Sequence, residues 1–165
     1  LLLQDEVFPV CSPALMNGTQ PLKEPRDLAR FSLISDMDWR RAQFDFWPRW
    51  LAAAGVPDLE LKTNLTFNYS NLMIQAAIDG LGIALGNTML AGDDLKSGRL
   101  VQPFPQTVML ETGYYLIYGK GALRQAKVKA FRDWIMGQMT AFREKSAATA
   151  TTTATKATTT KEGAV

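Results

Sequence analysis

The chain has 165 residues, 47% of them apolar, which is enough for one domain of ordinary size with a hydrophobic core. Its 18 Lys and Arg against 16 Asp and Glu leave a net charge of +2, which argues against a dedicated nucleic-acid surface, since such a surface needs clustered cations. One cysteine, Cys11, and no histidine exclude an internal disulfide, a Cys/His zinc site and His-dependent catalytic triads within one chain. We expect no cofactor and no metal, although counting residues leaves a carboxylate-only metal site open.

The amino terminus does not resemble a secretion signal. Three leucines are followed at once by Gln4, Asp5 and Glu6, and no basic segment precedes them. No apolar run approaches the roughly 20 residues that a helix needs to cross a bilayer. We therefore expect a cytoplasmic protein without membrane contact. Because the first residues are typical of a strand interior, we also expect a fragment that begins inside a fold.

Strand-like and helix-like segments alternate along residues 1–143. Apolar runs and period-two patterns predict strands in the segments 3–11, 31–35, 59–67, 82–86, 100–101 and 114–118. Helical spacing and capping residues predict helices in the segments 21–30, 39–55, 70–79, 89–95 and 123–143. Pro48 leaves two alternatives for the second helix, a restart at Pro48 or a kink there. The alternation predicts an α/β fold with parallel strands.

The connection between the strand ending at Phe67 and the helix starting near Ser70 is the strongest candidate for a ligand site. Ligands of open α/β sheets bind at the carboxyl ends of strands. A helix start also offers backbone N–H groups and a partial positive charge, which suit an anion. Ser35, after another strand, is expected at the same edge. The alternative is that Asn68, Ser70 and Asn71 only cap the helix, and the residues alone favour neither reading.

Three other patterns have simpler structural explanations. Gly80 and Gly82 follow a helix and open a strand, the reverse of a dinucleotide-binding loop, so they predict a helix cap and a tight entry to a buried strand. Two acidic pairs fall in predicted turns, and an aromatic cluster has helical spacing, so turn and core roles are expected. These residues are Asp36 and Asp38, Asp93 and Asp94, and Trp39, Phe44, Trp47 and Trp50. We expect no catalytic residue and no enzyme activity.

The last twenty residues differ from the rest in composition. They contain eight Thr, six Ala and no aromatic residue. Such a segment buries too little apolar surface to offset the entropy lost on ordering, so we expect a disordered tail. A flexible tether or a partner-binding segment is the alternative, but no motif supports it.

An ordered set of motifs runs from about Leu1 to Phe142. They are Phe8-Pro9-Val10-Cys11-Ser12-Pro13, Pro21-Leu22, Asp27-Leu28-Ala29, Trp50-Leu51-Ala52-Ala53-Ala54-Gly55, Gln75-Ala76-Ala77-Ile78-Asp79-Gly80-Leu81-Gly82-Ile83-Ala84-Leu85, Leu95-x-x-Gly98-Arg99-Leu100-Val101-x-Pro103-Phe104, Tyr114-Tyr115-Leu116 and Phe131-x-x-Trp134-Ile135. Each is weak alone. In this order they resemble the effector-binding domain of LysR-type transcriptional regulators, in particular the branch with the glycine-cleavage activator and the β-lactamase regulator.

The resemblance implies a periplasmic-binding-protein-like α/β fold of type 2, in which two crossover strands join two subdomains. Residues 1–12 would be a remnant of the first subdomain with one crossover, and residues 13–112 the complete second subdomain. Residues 113–143 would be the other crossover strand and the C-terminal helix of the first subdomain, followed by the tail at 144–165. The chain is expected to lack the winged helix-turn-helix that binds DNA in this family.

The resemblance also implies that the chain is a sensory domain that binds a small-molecule effector, such as an organic or amino acid, in a cleft between the subdomains to control transcription. The expected ligand-binding residues are Ser35, Phe67, Asn68, Ser70, Gly82 and Ile83. DNA would be bound only through the missing N-terminal domain, and the full-length parent is expected to be a homo-oligomer. A solute-binding protein of a transport system, which shares the architecture, is the alternative.

The last predicted helix carries an apolar stripe. It consists of Phe131, Trp134, Ile135, Met139 and Phe142. If the first subdomain is incomplete, this stripe loses its packing partners, and each such side chain contributes roughly 1.5–3 kcal/mol when buried. We therefore expect an adhesive face, with poor solubility or self-association.

Overall fold

A five-stranded sheet organises the described part of the chain. The computed structural model describes residues 1–18, 20–36 and 46–159, without the side chains of Asp36, Thr63, Asn64 and residues 145–159. The strands are β1 (Leu3–Val10), β2 (Leu33–Asp36), β3 (Thr63–Phe67), β4 (Ile83–Gly86) and β5 (Val108–Tyr114). The helices are α1 (Trp47–Ala53), α2 (Ser70–Ile78), α3 (Thr88–Ser97) and α4 (Ala126–Thr159), with 3₁₀ helices at Pro13–Leu15, Pro25–Arg30 and Ala122–Arg124. The strand order is β3-β2-β4-β1-β5.

The sheet is mixed, where the sequence predicted parallel strands. β2 pairs in parallel with both β3 and β4, but β1 pairs antiparallel with β4, with Phe8 opposite Gly86. Parallel pairing requires a crossover connection, and the α1 and α2 connections supply it for β2, β3 and β4. The described residues between β1 and β2 contain helices only as two short 3₁₀ segments, and β1 lies on the other side of β4 from β2 and runs in the opposite direction.

Each face of this sheet carries its own hydrophobic layer. Successive residues of a strand point to opposite faces, so neighbours in β2 belong to different layers. Ile34 packs with Ile74 of α2 and Ala91 of α3. Leu33 packs in the other layer with Trp50 of α1. Consequently α2 and α3 cover one face and α1 covers the other.

The chain forms two compact units. One unit comprises residues 6–110, and the other comprises residues 1–5 with those from 111 onward. All buried apolar side chains of the described residues lie between Val7 and Leu110. The first unit therefore has a core of its own, and the second has none among its described side chains. The subdomain boundaries at 13 and 112 remain a prediction.

Strand β5 does not lie where the sequence predicted it. The expected strand was 114–118, whereas β5 ends at Tyr114. The backbone N–H of Leu2 donates to the carbonyl oxygen of Tyr114 at 2.6 Å, and β1 begins at Leu3. The pairing of β5 with the first residues of the chain therefore ends at Tyr114, and an apolar run cannot extend a strand beyond its partner.

Two further predicted strands are shorter in the structure. β3 begins at Thr63 rather than Leu59, because its partner β2 has only four residues and Leu33 faces Thr63. The predicted strand 100–101 amounts to one antiparallel bridge between Val101 and Cys11. In both places the available partner strand, rather than the apolar pattern, sets the length.

The helices agree better with the sequence. α2 and α3 each end before a glycine with positive φ, Gly80 at 76° and Gly98 at 75°. α1 begins at Trp47, which puts Pro48 in the first turn, where proline is tolerated, and this agrees with a restart rather than a kink. The earlier part of that predicted helix, with Trp39 and Phe44, lies outside the described residues, as does Asp38.

Helix α4 is longer than predicted. The sequence suggested an end near Arg143 and a disordered tail, but α4 continues to Thr159. The segment from Gln138 to Glu162 contains no Gly or Pro, and Ala is the strongest helix former, so a helix can propagate through it. Residues 160–165 lie outside the described part.

A buried carboxylate anchors the loop before β2. Asp27 accepts hydrogen bonds from the backbone N–H groups of Lys23 at 2.7 Å and Glu24 at 3.0 Å, and it pairs with Arg30. Burial by itself would raise the pKa of Asp27, but the backbone hydrogen bonds and the charges of Arg30 and Lys23 outweigh it and hold the pKa below its usual 3.8. The ionised carboxylate therefore stabilises the folded state.

Gly82 allows a close approach of two backbones. A Cβ atom at Gly82 would overlap the carbonyl oxygen of Ser32, which already accepts a hydrogen bond from the Ile83 N–H at 2.9 Å. Since the obstacle is backbone rather than a flexible side chain, the entry of β4 beside β2 requires glycine here.

We predict that Asp27→Ala lowers the free energy of unfolding by about 1–3 kcal/mol near neutral pH, because charge-assisted hydrogen bonds are lost. The folded-state pKa is depressed, so this stabilisation exists above pH 3.8 and disappears as the pH falls further. Urea unfolding of wild type and variant at several pH values measures the difference. Asp58→Ala is the control, because its ion pair with Arg26 is exposed and we expect little effect. Equal losses in the two variants would contradict the prediction.

We predict that Gly82→Ala destabilises the protein by about 1–3 kcal/mol or more, because the two strands must separate to admit a methyl group. The matched control is Gly92→Ala inside α3, where a Cβ meets nothing closer than 3.9 Å. That change should raise stability by up to about 1 kcal/mol through helix propensity. Thermal unfolding of the two variants should therefore shift in opposite directions, and a shift in the same direction would refute the assignment.

Candidate functional site

The carboxyl ends of three parallel strands meet at one edge of the sheet. In the pairing of β2 with β3, Ser35 faces Thr66 and Asp36 faces Phe67. Asn68 follows β3 directly, and Asn87 follows β4 directly. The structure therefore places Ser35 and Asn68 at the same edge, in agreement with the argument from strand ends. Ser35 is half-buried and Asn68 is exposed.

From this edge the chain passes to one face of the sheet after β2 and to the other face after β3 and β4. The connection from β2 leads to α1 on one face, whereas the connections from β3 and β4 lead to α2 and α3 on the other. In open α/β sheets a crevice forms where neighbouring connections diverge in this way. Ser35, near the end of β2, therefore lies where the topology favours a ligand. The connection itself, residues 37–45, is outside the described part.

Helix α2 begins at this edge, but its cap differs from the prediction. The N-cap residue is Tyr69, with no side-chain capping hydrogen bond, and Ser70 is the first helical residue. The capping alternative required Asn68, Ser70 or Asn71 at the N-cap, and none of the three occupies that position. The backbone is still extended at Tyr69, so α2 begins one residue later than it would if Asn68 were the N-cap residue. Asn68 and Tyr69 remain exposed beside the helix start.

The first turn of α3 is built differently. The Asn87 side chain accepts a hydrogen bond from the Leu90 N–H at 2.9 Å and caps the helix. The Thr88 hydroxyl donates to the Glu6 carboxylate of β1. An acidic group at a helix start is electrostatically favourable, so α3 carries its own anion. Of the starts of α2 and α3, the start of α2 has no side-chain capping hydrogen bond and is better suited to a negative charge.

Three residues near this edge, Glu6, Asn87 and Thr88, were not predicted from the sequence to belong to it. Asn87 was visible as an Asn two residues before the predicted helix 89–95, and an Asn near a helix start is a capping signal. Glu6 could not be recognised from the sequence, because its position near α3 depends on the antiparallel register of β1 and β4. Phe8 faces Gly86 in that register, so Glu6 comes level with Thr88.

Gly82 and Ile83 lie at the opposite end of their strand. Ile83 starts β4, faces Leu33 at the start of β2, and is completely buried. Gly82 is also buried, against Ser32. The structure therefore does not bring these two predicted ligand residues to the edge that holds Ser35 and Asn68. Their position agrees with a packing role.

Phe67 has a mixed environment. It ends β3 at the candidate edge, yet it is half-buried and packs against the hydrophobic layer under α2 and α3. Ser70 is half-buried at the first position of α2. The residues that the structure groups at the edge are therefore Ser35, Phe67, Asn68 and Ser70.

Two kinds of reactive group, a thiolate and a metal site, were searched for among the described residues. Burial raises the pKa of the Cys11 thiol to about 12, so at neutral pH this side chain is a protonated thiol and a poor nucleophile. Among residues 1–18, 20–36 and 46–159, no group of three or more His, Cys, Asp or Glu is arranged to hold a metal ion. In the same residues no helix is both long enough and apolar enough to cross a membrane.

Comparison with known protein sequences gives one family. The model of the LysR substrate binding domain matches residues 1–140. The glycine cleavage system transcriptional activator of Escherichia coli K12 is 34% identical over 144 residues, 87% of this chain and 46% of that protein. The transcriptional activator AmpR of Citrobacter koseri is 31% identical over 136 residues, 82% of this chain and 44% of that protein. The chain thus spans about half the length of these relatives.

Solved structures agree in fold. The effector domain of AmpR from Pseudomonas aeruginosa has a TM-score of 0.64 at 24% identity, over 87% of this chain and 66% of that domain. The regulatory domain of CrgA from Neisseria meningitidis has a TM-score of 0.61 at 16% identity, over 84% of this chain and 67% of that domain. The type 2 periplasmic-binding-protein-like fold expected from the sequence is confirmed. With the match over residues 1–140, this chain belongs to the family of LysR substrate-binding domains.

Proposed function

We propose that the chain is the effector-binding part of a LysR-type transcription regulator and that it senses a small molecule at the carboxyl edge of β2, β3 and β4. The observation that carries this proposal is the family match over residues 1–140 together with the convergence of Ser35 and Asn68 at one sheet edge. The transport alternative finds no support, because the relatives named above are transcription regulators. The same relatives argue for a regulator rather than an enzyme.

An acid, such as an organic or amino acid, is the effector class that the edge favours. The start of α2 supplies backbone N–H groups and the positive end of a helix dipole, without a side-chain cap of its own. Asn68, two residues before that start, can donate a hydrogen bond to a carboxylate, and Ser35 can donate another from the end of β2 at the same sheet edge. Ser70 adds a hydroxyl at the first position of the helix. Phe67 supplies an apolar floor that is fixed by the core beneath it.

The larger protein would couple this binding to transcription. Since the chain spans about half of its curated relatives, DNA would be bound by a part of the protein beyond the matched region. We expect the complete regulator to act as a homo-oligomer in the cytoplasm, where its DNA target is. Gly82 and Ile83 would support the site only by holding β4 beside β2.

We predict that Ser35→Ala and Asn68→Ala each weaken effector binding by about tenfold, since each removes one hydrogen bond to a charged group, worth about 1.5 kcal/mol. Calorimetric titration of the intact regulator with the standard amino acids and with di- and tricarboxylic acids identifies the effector and measures the change. Asn17→Ala, at an exposed position outside the edge, is the matched control and should bind like wild type.

Two results would count against the site. Unchanged affinity in both edge variants would place the effector elsewhere on the domain. An equal loss in the Asn17→Ala control would show that the assay reports stability rather than contact.

A further inference from the structure

An open cavity of about 580 Å³ lies beside the 3₁₀ helix Pro25–Arg30, in the connection between β1 and β2. A volume of this size is sufficient for a small-molecule ligand. The connection leads into the start of β2, whereas Ser35 lies near the end of that strand. The cavity is therefore separate from the candidate edge. Its lining residues are Gln20, Pro21, Lys23, Glu24, Asp27 and Arg30.

The backbone around this cavity is anchored in the hydrophobic layer under α1. Leu22 is 1% exposed and Leu28 is completely buried, and both pack in that layer with Trp50. Leu22 is followed in sequence by Lys23, and Leu28 is preceded by Asp27, so the core fixes the segment that carries the polar lining. A fixed segment loses less conformational entropy on binding a ligand than a mobile loop does.

A buried carboxylate holds one of the cationic side chains of the lining in place. Oδ2 of Asp27 accepts from the backbone N–H groups of Lys23 and Glu24. Its Oδ1 accepts from Nη2 of Arg30, which also donates to the carbonyl oxygen of Pro21 at 3.4 Å. Among the described residues, Nε and Nη1 of Arg30 have no acceptor. These N–H groups are therefore available to a ligand.

The charges of the lining cancel. Lys23 and Arg30 contribute two positive charges, and Glu24 and Asp27 contribute two negative charges, so the formal sum is zero. An anion with several charges would be repelled by the two carboxylates, and a cation by the two basic groups. The electrostatics of the cavity therefore favour a ligand without net charge.

The lining also combines hydrogen-bond donors with acceptors. Arg30 and Lys23 supply donors, the Glu24 carboxylate supplies acceptors, and the Gln20 amide supplies both. A hydroxyl group donates and accepts at the same time, so neighbouring hydroxyls on one molecule can bond to such a mixture. Pro21 adds an apolar surface for the C–H groups between them.

We propose that this cavity binds a neutral ligand with adjacent hydroxyl groups, a sugar or a polyol, through the side chains of Gln20, Lys23 and Arg30. Asp27 is a positioning residue for Arg30, because both of its oxygens are already bonded within the protein. The proposal goes beyond effector sensing at the sheet edge and does not depend on it, since no lining residue belongs to that edge.

The test is saturation-transfer NMR of the full chain with glucose, maltose, myo-inositol and glycerol, followed by titration of the compounds that bind. We expect affinity that is the same at low and high salt, because these compounds carry no charge to be screened. Gln20→Ala and Lys23→Ala should each weaken binding about fivefold, since each removes one hydrogen bond to a neutral group. Lys23→Ala keeps the backbone N–H that binds Asp27, so the loop should remain folded.

Arg26→Ala is the matched control. Arg26 belongs to the same 3₁₀ helix but not to the lining, and it pairs with Asp58 at the surface. This variant should bind all four compounds like wild type.

Three results would overturn the proposal. One is the absence of binding by all four compounds at about 0.1 M, where even Kd values above the millimolar range are detected. The second is binding of inorganic phosphate, weakened by salt and by Lys23→Ala, without binding of any polyol, which would assign the cavity to an anion. The third is unchanged affinity in both lining variants, or an equal loss in Arg26→Ala. Effector titrations of the Ser35→Ala and Asn68→Ala variants test the sheet edge alone, so failure of either proposal is distinguishable from failure of the other.

Discussion

The parallel pairing of β2 with β3 on one side and β4 on the other is the constraint on which the rest of the structure depends. It aligns the three carboxyl ends, so Ser35, Asn68 and the starts of α2 and α3 share one edge. It also requires that β4 enter beside Ser32 with no side chain at Gly82. The alternation of side chains along β2 then assigns Leu33 and Ile34 to opposite hydrophobic layers. Packing and site geometry therefore follow from one register.

The two helix starts at this edge show how similar local sequences acquire different roles. Both follow a strand end and an asparagine, yet Asn87 caps α3 while Asn68 leaves α2 to begin after Tyr69. The Glu6 carboxylate, brought in by the antiparallel β1, adds negative charge beside α3 through Thr88. The electrostatic asymmetry between α2 and α3 thus arises from a strand far away in sequence. It makes the start of α2 a more favourable place for a negative charge than the start of α3.

The sequence was informative wherever local chemistry decides the structure. Gly80 and Gly98 mark the ends of α2 and α3, because a positive φ is cheap only for glycine. Ser35 and Asn68 could be placed at one edge because parallel strands share their carboxyl side. The end of β5 at Tyr114, the late start of β3 and the position of Glu6 could not be predicted, because each depends on the length or direction of a partner strand. Leu72 shows a related limit, because its apolar character does not tell which side of the helix meets solvent, and it lies with Gln75 and Asp79 on the exposed side of α2.

The burial of Cys11 has a consequence for spectroscopy of this domain. Its thiol has no exposed surface and stays protonated at the pH at which maleimide reagents are used. A cysteine introduced at an exposed position, such as 68 or 131, would consequently be the sole group to react in the folded chain. Fluorescent or spin labels can thus be attached to the sheet edge or to α4 one at a time, with the native cysteine left in place.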